Sequence, residues 1–342
     1  MRPLPGMACR LPLAVTVMMA ALLASACGRT TPPAGPSVTA GGISPSPSTA
    51  PIETPASTVA PTASATTPSG ATGVILFWGW QQSPTQSIFK MNADGSALVA
   101  LPNGIHDGLP AWSPDHRQIV FVRDGTTKDH GVYVMAAEGS HVRRVTNDPK
   151  WIAEFPAWSP DGRRIAFAGT RGDLDAVEHA LFVVDVDGSH LVRMSVELAG
   201  SEPIGWAPDG RTLVFDGRCA PVPATCAVGA DGAGLKTLIS YPDGGSVVDG
   251  WAAWSPDGQK LAFQRENQII VASPDGSGAK ALTPGTAVDS AVAWSPDGGW
   301  LAFTRSPVGG GNGDIWIMRA DGTELRNLTD SASISEQFPA WR

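Results

Sequence analysis

The chain has 342 residues, a formal net charge of −8, only 16% charged residues, and 39 glycines and 30 prolines. An acidic chain without basic clusters repels phosphate, which excludes nucleic acid as an expected partner. Abundant turn formers, with no sustained apolar period of 3.6 outside the N-terminus, point to an all-β protein and away from a helical bundle.

Residues 1–26 read as a signal peptide: Arg2 and Arg10 precede the apolar run Leu11 to Ala24, which is too short to span a membrane and fits a secretory core. The stretch Leu23-Ala24-Ser25-Ala26-Cys27 resembles a bacterial lipobox. That resemblance implies that Cys27 is acylated and becomes the mature N-terminus, anchoring the protein to a membrane outside the cytoplasm. Residues 27–72 then form a tether. Between Gly28 and Thr72 stand nine prolines, otherwise mostly Ser, Thr, Ala and Gly, with Glu53 and Arg29 the only charges. Such a segment buries too little apolar surface to offset its ordering entropy, and as a flexible coil it would reach roughly 35 to 40 Å.

Residues 73–342 are repetitive. Val74 to Phe77 reads as a strand; then AWSPDHRQIVF starts at Ala111, AWSPDGRRIAF at Ala157, GWAPDGRTLVF at Gly205, AWSPDGQKLAF at Ala253 and AWSPDGGWLAF at Ala293, and a truncated copy ends the chain at Ala340. The tryptophans Trp112, Trp158, Trp206, Trp254, Trp294 and Trp341 stand 46, 48, 48, 40 and 47 residues apart, the period of a four-stranded propeller blade. Ser-Pro-Asp-Gly suits a type I turn followed by a left-handed residue between two antiparallel strands. The triplet after it, as in Ile165-Ala166-Phe167, is apolar on both faces and so needs cover on both. A second element such as VYVMAAEGS or LFVVDVDGS supplies a third strand and another turn. The fourth strand follows and often carries Arg or Lys, which suits an exposed edge.

The first repeat lacks its AW strand and the last consists of little else. Gln337-Phe338-Pro339-Ala340-Trp341 copies Glu154-Phe155-Pro156-Ala157-Trp158, so the expected fold is a six-bladed β-propeller closed by pairing the C-terminal strand with the N-terminal strands.

Cys219 and Cys226 are expected to form a disulfide, because the pair is isolated, close in sequence and outside the cytoplasm, and the neighbourhood lacks further metal ligands. Four or five residues before each motif tryptophan stands one carboxylate: Asp107, Glu154, Glu202, Asp249, Asp289 and Glu336. These connections feed the innermost strands, so the carboxylates are expected to ring the channel mouth, raise one another's pKa values and recruit a cation such as Ca2+ or a basic peptide. The alternative is a rim of solvated charge. His106, Trp151 and Trp251, in the same connections, are candidates for ligand or stacking contacts. Catalytic signatures are missing: no G-x-S-x-G occurs, and the six histidines form no metalloprotease pattern. The rival reading is a self-contained propeller enzyme, of the metal-dependent lactonase or glycosidase type, with its site at the channel mouth.

Residues 73–342, with their repeated PAWSPDG, IAF and ADGS elements, resemble the TolB family of six-bladed propellers. The resemblance implies a monomeric extracytoplasmic module without catalysis of its own, binding an envelope or surface protein or a small ligand. The α/β domain that precedes the propeller in TolB itself is replaced here by the tether, so TolB's own role does not carry over.

Overall fold

In the computed structural model, residues 70–81, 86–102, 104, 106–124, 129–147, 151–171, 179–198, 204–221, 223–240 and 250–342 are described. They form six four-stranded antiparallel sheets, with no helix among the described residues. Each sheet is a blade. Blade 1 has the order Ile334–Trp341, Val74–Gln81, Gln86–Asn92, Val99–Ala100: one strand from the C-terminus and three from the start of the ring. Blades 2 to 6 run in simple chain order from innermost strands Asp107–Trp112, Trp151–Trp158, Ile204–Trp206, Gly250–Trp254 and Val288–Trp294.

The Ser-Pro-Asp-Gly hairpins form because each side chain has a local backbone partner. In blade 3 the Ser159 hydroxyl donates to Asp161 (2.5 Å) and accepts from the Arg164 amide (2.9 Å), while Asp161 accepts from the Arg163 amide (3.0 Å). Ser113, Ser255 and Ser295 repeat the pattern. The hydrogen bond from serine is the main cause that holds Asp161, Asp257 and Asp297 below the usual carboxylate range. The motif therefore spends its polar atoms on the turn. Gly162, Gly210, Gly258 and Gly298 take the left-handed conformation, and His116 takes it in blade 2.

Packing follows the two-faced strands. In blade 3, Phe167 and Ile165 face blade 2 while Ala166 faces blade 4. The buried apolar residues divide into six clusters, each lying between two adjacent blades, so the core is itself a ring. The six IAF-type phenylalanines, Phe77, Phe121, Phe167, Phe215, Phe263 and Phe303, are all fully buried. Outermost strands of blades 1, 2, 3, 5 and 6 are only two residues long, and most carry Lys or Arg, which blunts the exposed edges.

Closure is made by backbone and side chains together. The last strand pairs with the first in antiparallel register from Ile75 opposite Trp341 to Gln81 opposite Ile334. Val74 and Arg342 exchange both backbone hydrogen bonds (2.9 and 3.0 Å), and the Trp341 indole N–H donates to the Thr72 carbonyl at 2.9 Å. Gly73 is required there: its φ is 103°, and a Cβ would overlap the Arg342 carbonyl. Arg342 reaches on into blade 2, lying 4.1 Å over the Trp112 ring and donating to the His116 carbonyl at 2.6 Å.

Cys219 and Cys226 are bonded, with Cα atoms 6.0 Å apart. A link closing so short a loop contributes about 2.5 kcal/mol in the chain-entropy picture.

Candidate functional site: an aromatic channel

Five of the innermost strands carry a β-bulge at the same place. The residue three before the motif tryptophan adopts positive φ: Leu109 (52°), Phe155 (48°), Trp251 (64°), Ala291 (53°) and Phe338 (56°). Opposite each pair formed by this residue and the next, the neighbouring strand has one residue fewer. An extra residue bends the strand and swaps the faces of the side chains beyond it. The bulge residues therefore line the central channel, a cavity of about 490 Å³ whose wall also includes the six motif tryptophans.

Every second blade contributes an aromatic. Phe155 from blade 3, Trp251 from blade 5 and Phe338 from blade 1 meet: Trp251 stacks on Phe338 at 4.9 Å, Phe155 meets Trp251 edge-on at 5.5 Å, and Phe155 and Phe338 are 5.6 Å apart. Trp78 extends the cluster, 5.8 Å from Phe338. Blades 2 and 6 place the smaller Leu109 and Ala291 at the equivalent positions. The motif tryptophans brace the wall: Trp206 donates to the Ala157 carbonyl (3.2 Å) and Trp294 to Ala253 (3.0 Å), each reaching the preceding blade.

The expected carboxylates are placed differently. Asp107 and Asp289 are fully buried, and neither lines the channel cavity. Asp107 accepts two hydrogen bonds from Arg123 (2.6 and 2.7 Å) and one from the Gly104 amide (2.9 Å). Asp289 accepts two from Arg305 (2.6 and 2.8 Å). The arginines in turn lie over Tyr133 and Trp316. Glu154 is buried with His179 Nδ1 at 4.0 Å, and burial holds the His179 pKa below its ordinary value. Glu336 is fully buried, and its pKa is pushed up to about 9, first by burial and then by Asp314. That repulsion comes from the neighbouring blade and not from another member of the predicted ring. Glu202 and Asp249 lie outside the described residues, as do Cys27 and the Trp151 side chain. His106 has a left-handed backbone, and its amide donates to the Gln86 carbonyl at 3.3 Å. Of the described residues expected from sequence to form the site, Trp251 alone is seen in the channel wall. Phe155, Phe338 and Leu109 were not anticipated; the repeated Phe-Pro-Ala-Trp was the available signal.

Among the described residues no group of three or more His, Cys, Asp or Glu could hold a metal ion. A serine, a histidine and a carboxylate meet at Ser189, His190 and Asp185. Both oxygens approach the same nitrogen, His190 Nδ1 (3.1 and 2.8 Å), whereas a nucleophile triad uses the two ring nitrogens separately.

Residues 150–342 match the TolB beta propeller domain. The chain belongs to the TolB β-propeller family. Its fold is similar to the crystal structure of TolB from Acinetobacter baumannii, with a TM-score of 0.68 at 21% identity over 80% of this chain and 68% of that one. It is also similar to putative TolB from Agrobacterium tumefaciens (TM-score 0.59, 18% identity, 80% and 99% covered). Hydrazine synthase of Kuenenia stuttgartiensis has a TM-score of 0.65 at 14% identity, over 80% of this chain and 47% of that one. At these identities the likeness is one of fold. No curated protein matches the chain in sequence. In this TolB-type propeller the motif residues shared with the family build turns and blade contacts, while the bulge residues that give the channel its aromatic wall vary from blade to blade.

Proposed function

We propose that this protein is a non-catalytic β-propeller, held outside the cytoplasm on a membrane by a lipid on Cys27, that binds an envelope or surface protein, or a small ligand, in its central channel. The observation that carries the reading is the Phe155–Trp251–Phe338 cluster in the channel. Aromatic side chains in a walled cavity offer large apolar area at little cost in side-chain freedom, which is where binding hot spots concentrate. The disulfide supports an oxidising compartment.

The binding claim is tested by capture from solubilised membranes with the full-length protein, followed by mass spectrometry, and by a thermal-shift screen of small ligands. Phe155→Ala and Trp251→Ala, each checked for retained folding, are expected to weaken whatever the wild type holds by about 30-fold, the effect of losing a 2 kcal/mol hot spot. Unchanged binding in both variants would sink the channel assignment. A variant carrying Glu154→Gln, Glu202→Gln and Asp249→Asn is expected to bind normally; loss of binding there would move the site to the carboxylates. Anchoring is tested separately. Cys27→Ala is expected to leave the protein unprocessed or soluble, and a normally processed, membrane-bound Cys27→Ala protein contradicts the anchor.

A further inference from the structure

The position that carries a buried aspartate in blades 2 and 6 is handled differently where the ring closes. Asp107 lies opposite Arg123 in register, and Asp289 opposite Arg305, so each acid has a cation from its own blade. In blade 1 the same position is Glu336, and the residue opposite is Gly79. No longer side chain fits there, because a Cβ on Gly79 would overlap the Phe89 ring. Glu336 is fully buried; its Oε2 accepts from the Thr329 hydroxyl (3.2 Å), and its Oε1 has no hydrogen-bond partner among the described groups. Across the seam, on the blade 6 strand Asp314–Arg319, the Asp314 carboxyl accepts from Asn327 at 3.0 Å, and Gly313 just before it is tied to the closing strand, accepting from the Glu336 amide (2.7 Å) and donating to the Ser335 hydroxyl (3.0 Å).

Among the described residues, the cations on the surrounding strands are bonded to other acids. The innermost blade 6 strand brings Asp289, and the next strand brings Arg305, which stands opposite both Asp289 and Asp314 in register and is bonded to Asp289. Asp107 of the blade 2 strand packed against the closing strand is bonded to Arg123. On the Asp314 strand itself Arg319 is bonded to Glu324, which also meets Arg326 of the outer strand. The partner strand Val74–Gln81 carries no charge, and Asp330 adds a further negative charge against Asp314.

We propose that Glu336 and Asp314 are a proton-held latch across the seam where the ring closes: one shared proton bonds the two carboxyl groups, and its loss sets two like charges face to face behind the closing strand. The chemistry is a single proton transfer. The O–H bond at Glu336 breaks, the proton leaves to water, and the hydrogen bond to Asp314 is replaced by repulsion.

Burial and the Asp314 charge push the Glu336 pKa up to about 9 from an ordinary 4.5, and burial raises Asp314 as well. The folded ring therefore keeps a proton that the unfolded chain gives up above pH 4.5. Stability from this group is fully present below that pH and is lost as pH rises towards 9. The latch sits on the strand that carries Phe338 into the channel wall.

Denaturant unfolding of the full chain at pH 5, 6.5 and 8 tests the latch, comparing wild type with Glu336→Gln, which holds the neutral shape at every pH. The unfolding constant of wild type relative to Glu336→Gln is expected to rise about tenfold per pH unit, roughly a thousandfold from pH 5 to 8. Asp314→Asn removes the like charge but not the burial and is expected to make the wild-type rise with pH smaller, which keeps the test open if the first variant does not fold. Parallel pH profiles for wild type and either variant overturn the proposal. So does recovery of wild type to the Glu336→Gln level at pH 8 on adding millimolar calcium chloride, which would make the pair a cation site.

Discussion

Deleting residues 338–342 is expected to lower the melting temperature by roughly 12 to 24 °C, or to prevent folding altogether. Chain ends normally tolerate such trimming. Here the five residues include Trp341, which is 9% exposed and packed in the cluster between blades 6 and 1, and Phe338, in contact with Trp78, Phe155 and Trp251. Truncating a buried Trp typically costs 3–5 kcal/mol and the half-buried Phe338 adds part of that again, so the pair accounts for about 6 kcal/mol. For a domain of this size each kcal/mol corresponds to about 2–4 °C. The deletion also unpairs the Val74 backbone and removes the Arg342 contacts to blade 2. Since whole domains are stable by only about 5–15 kcal/mol, the loss reaches the order of the total. Calorimetry of the truncated protein checks this; an unchanged melting temperature is incompatible with closure by the last strand.

Arg305→Met is expected to destabilise the protein by about 3–5 kcal/mol, because it strands the fully buried Asp289 without its partner. Lost stacking of the guanidinium, 4.6 Å over Trp316, adds to the effect. The double variant Asp289→Asn with Arg305→Met removes the charge as well and is expected to regain most of the loss, since the cost lies in the unpaired charge. Urea unfolding of the two single variants and the double variant makes the comparison. A cost under 1 kcal/mol for Arg305→Met would mean that water reaches Asp289 and that the acid belongs to an open rim.

The contrast between these two regions shows what could be read from sequence. Blade number, hairpin turns and closure follow from the tryptophan spacing, from Ser-Pro-Asp-Gly with its local hydrogen bonds, and from a copy of Phe-Pro-Ala-Trp at the far end; all are local or directly repeated features. The channel wall was not legible, because it depends on bulges whose left-handed residues are Leu109, Phe155, Trp251, Ala291 and Phe338, with no glycine to announce them. Counting strict alternation back from the tryptophan ignores the extra residue and puts the side chains before it on the opposite face. The acids Asp107 and Asp289 therefore face arginines within the blades, and Trp251 was found only because it shared a connection with the carboxylates. The raised pKa of Glu336 was foreseeable as a direction, but its main cause is burial beside Asp314, a residue 22 positions earlier in a different strand.

Hydrogen exchange of the full chain at pH 6, followed by mass spectrometry, measures most directly whether one strand closes the ring and carries Phe338 into the channel. Amides of residues 335–341 are expected to exchange as slowly as those of the paired Val74–Gln81 strand, through global unfolding alone. Exchange of that segment at the rate of a frayed terminus, while the other five blades stay protected, would contradict both the closure and the channel built on it.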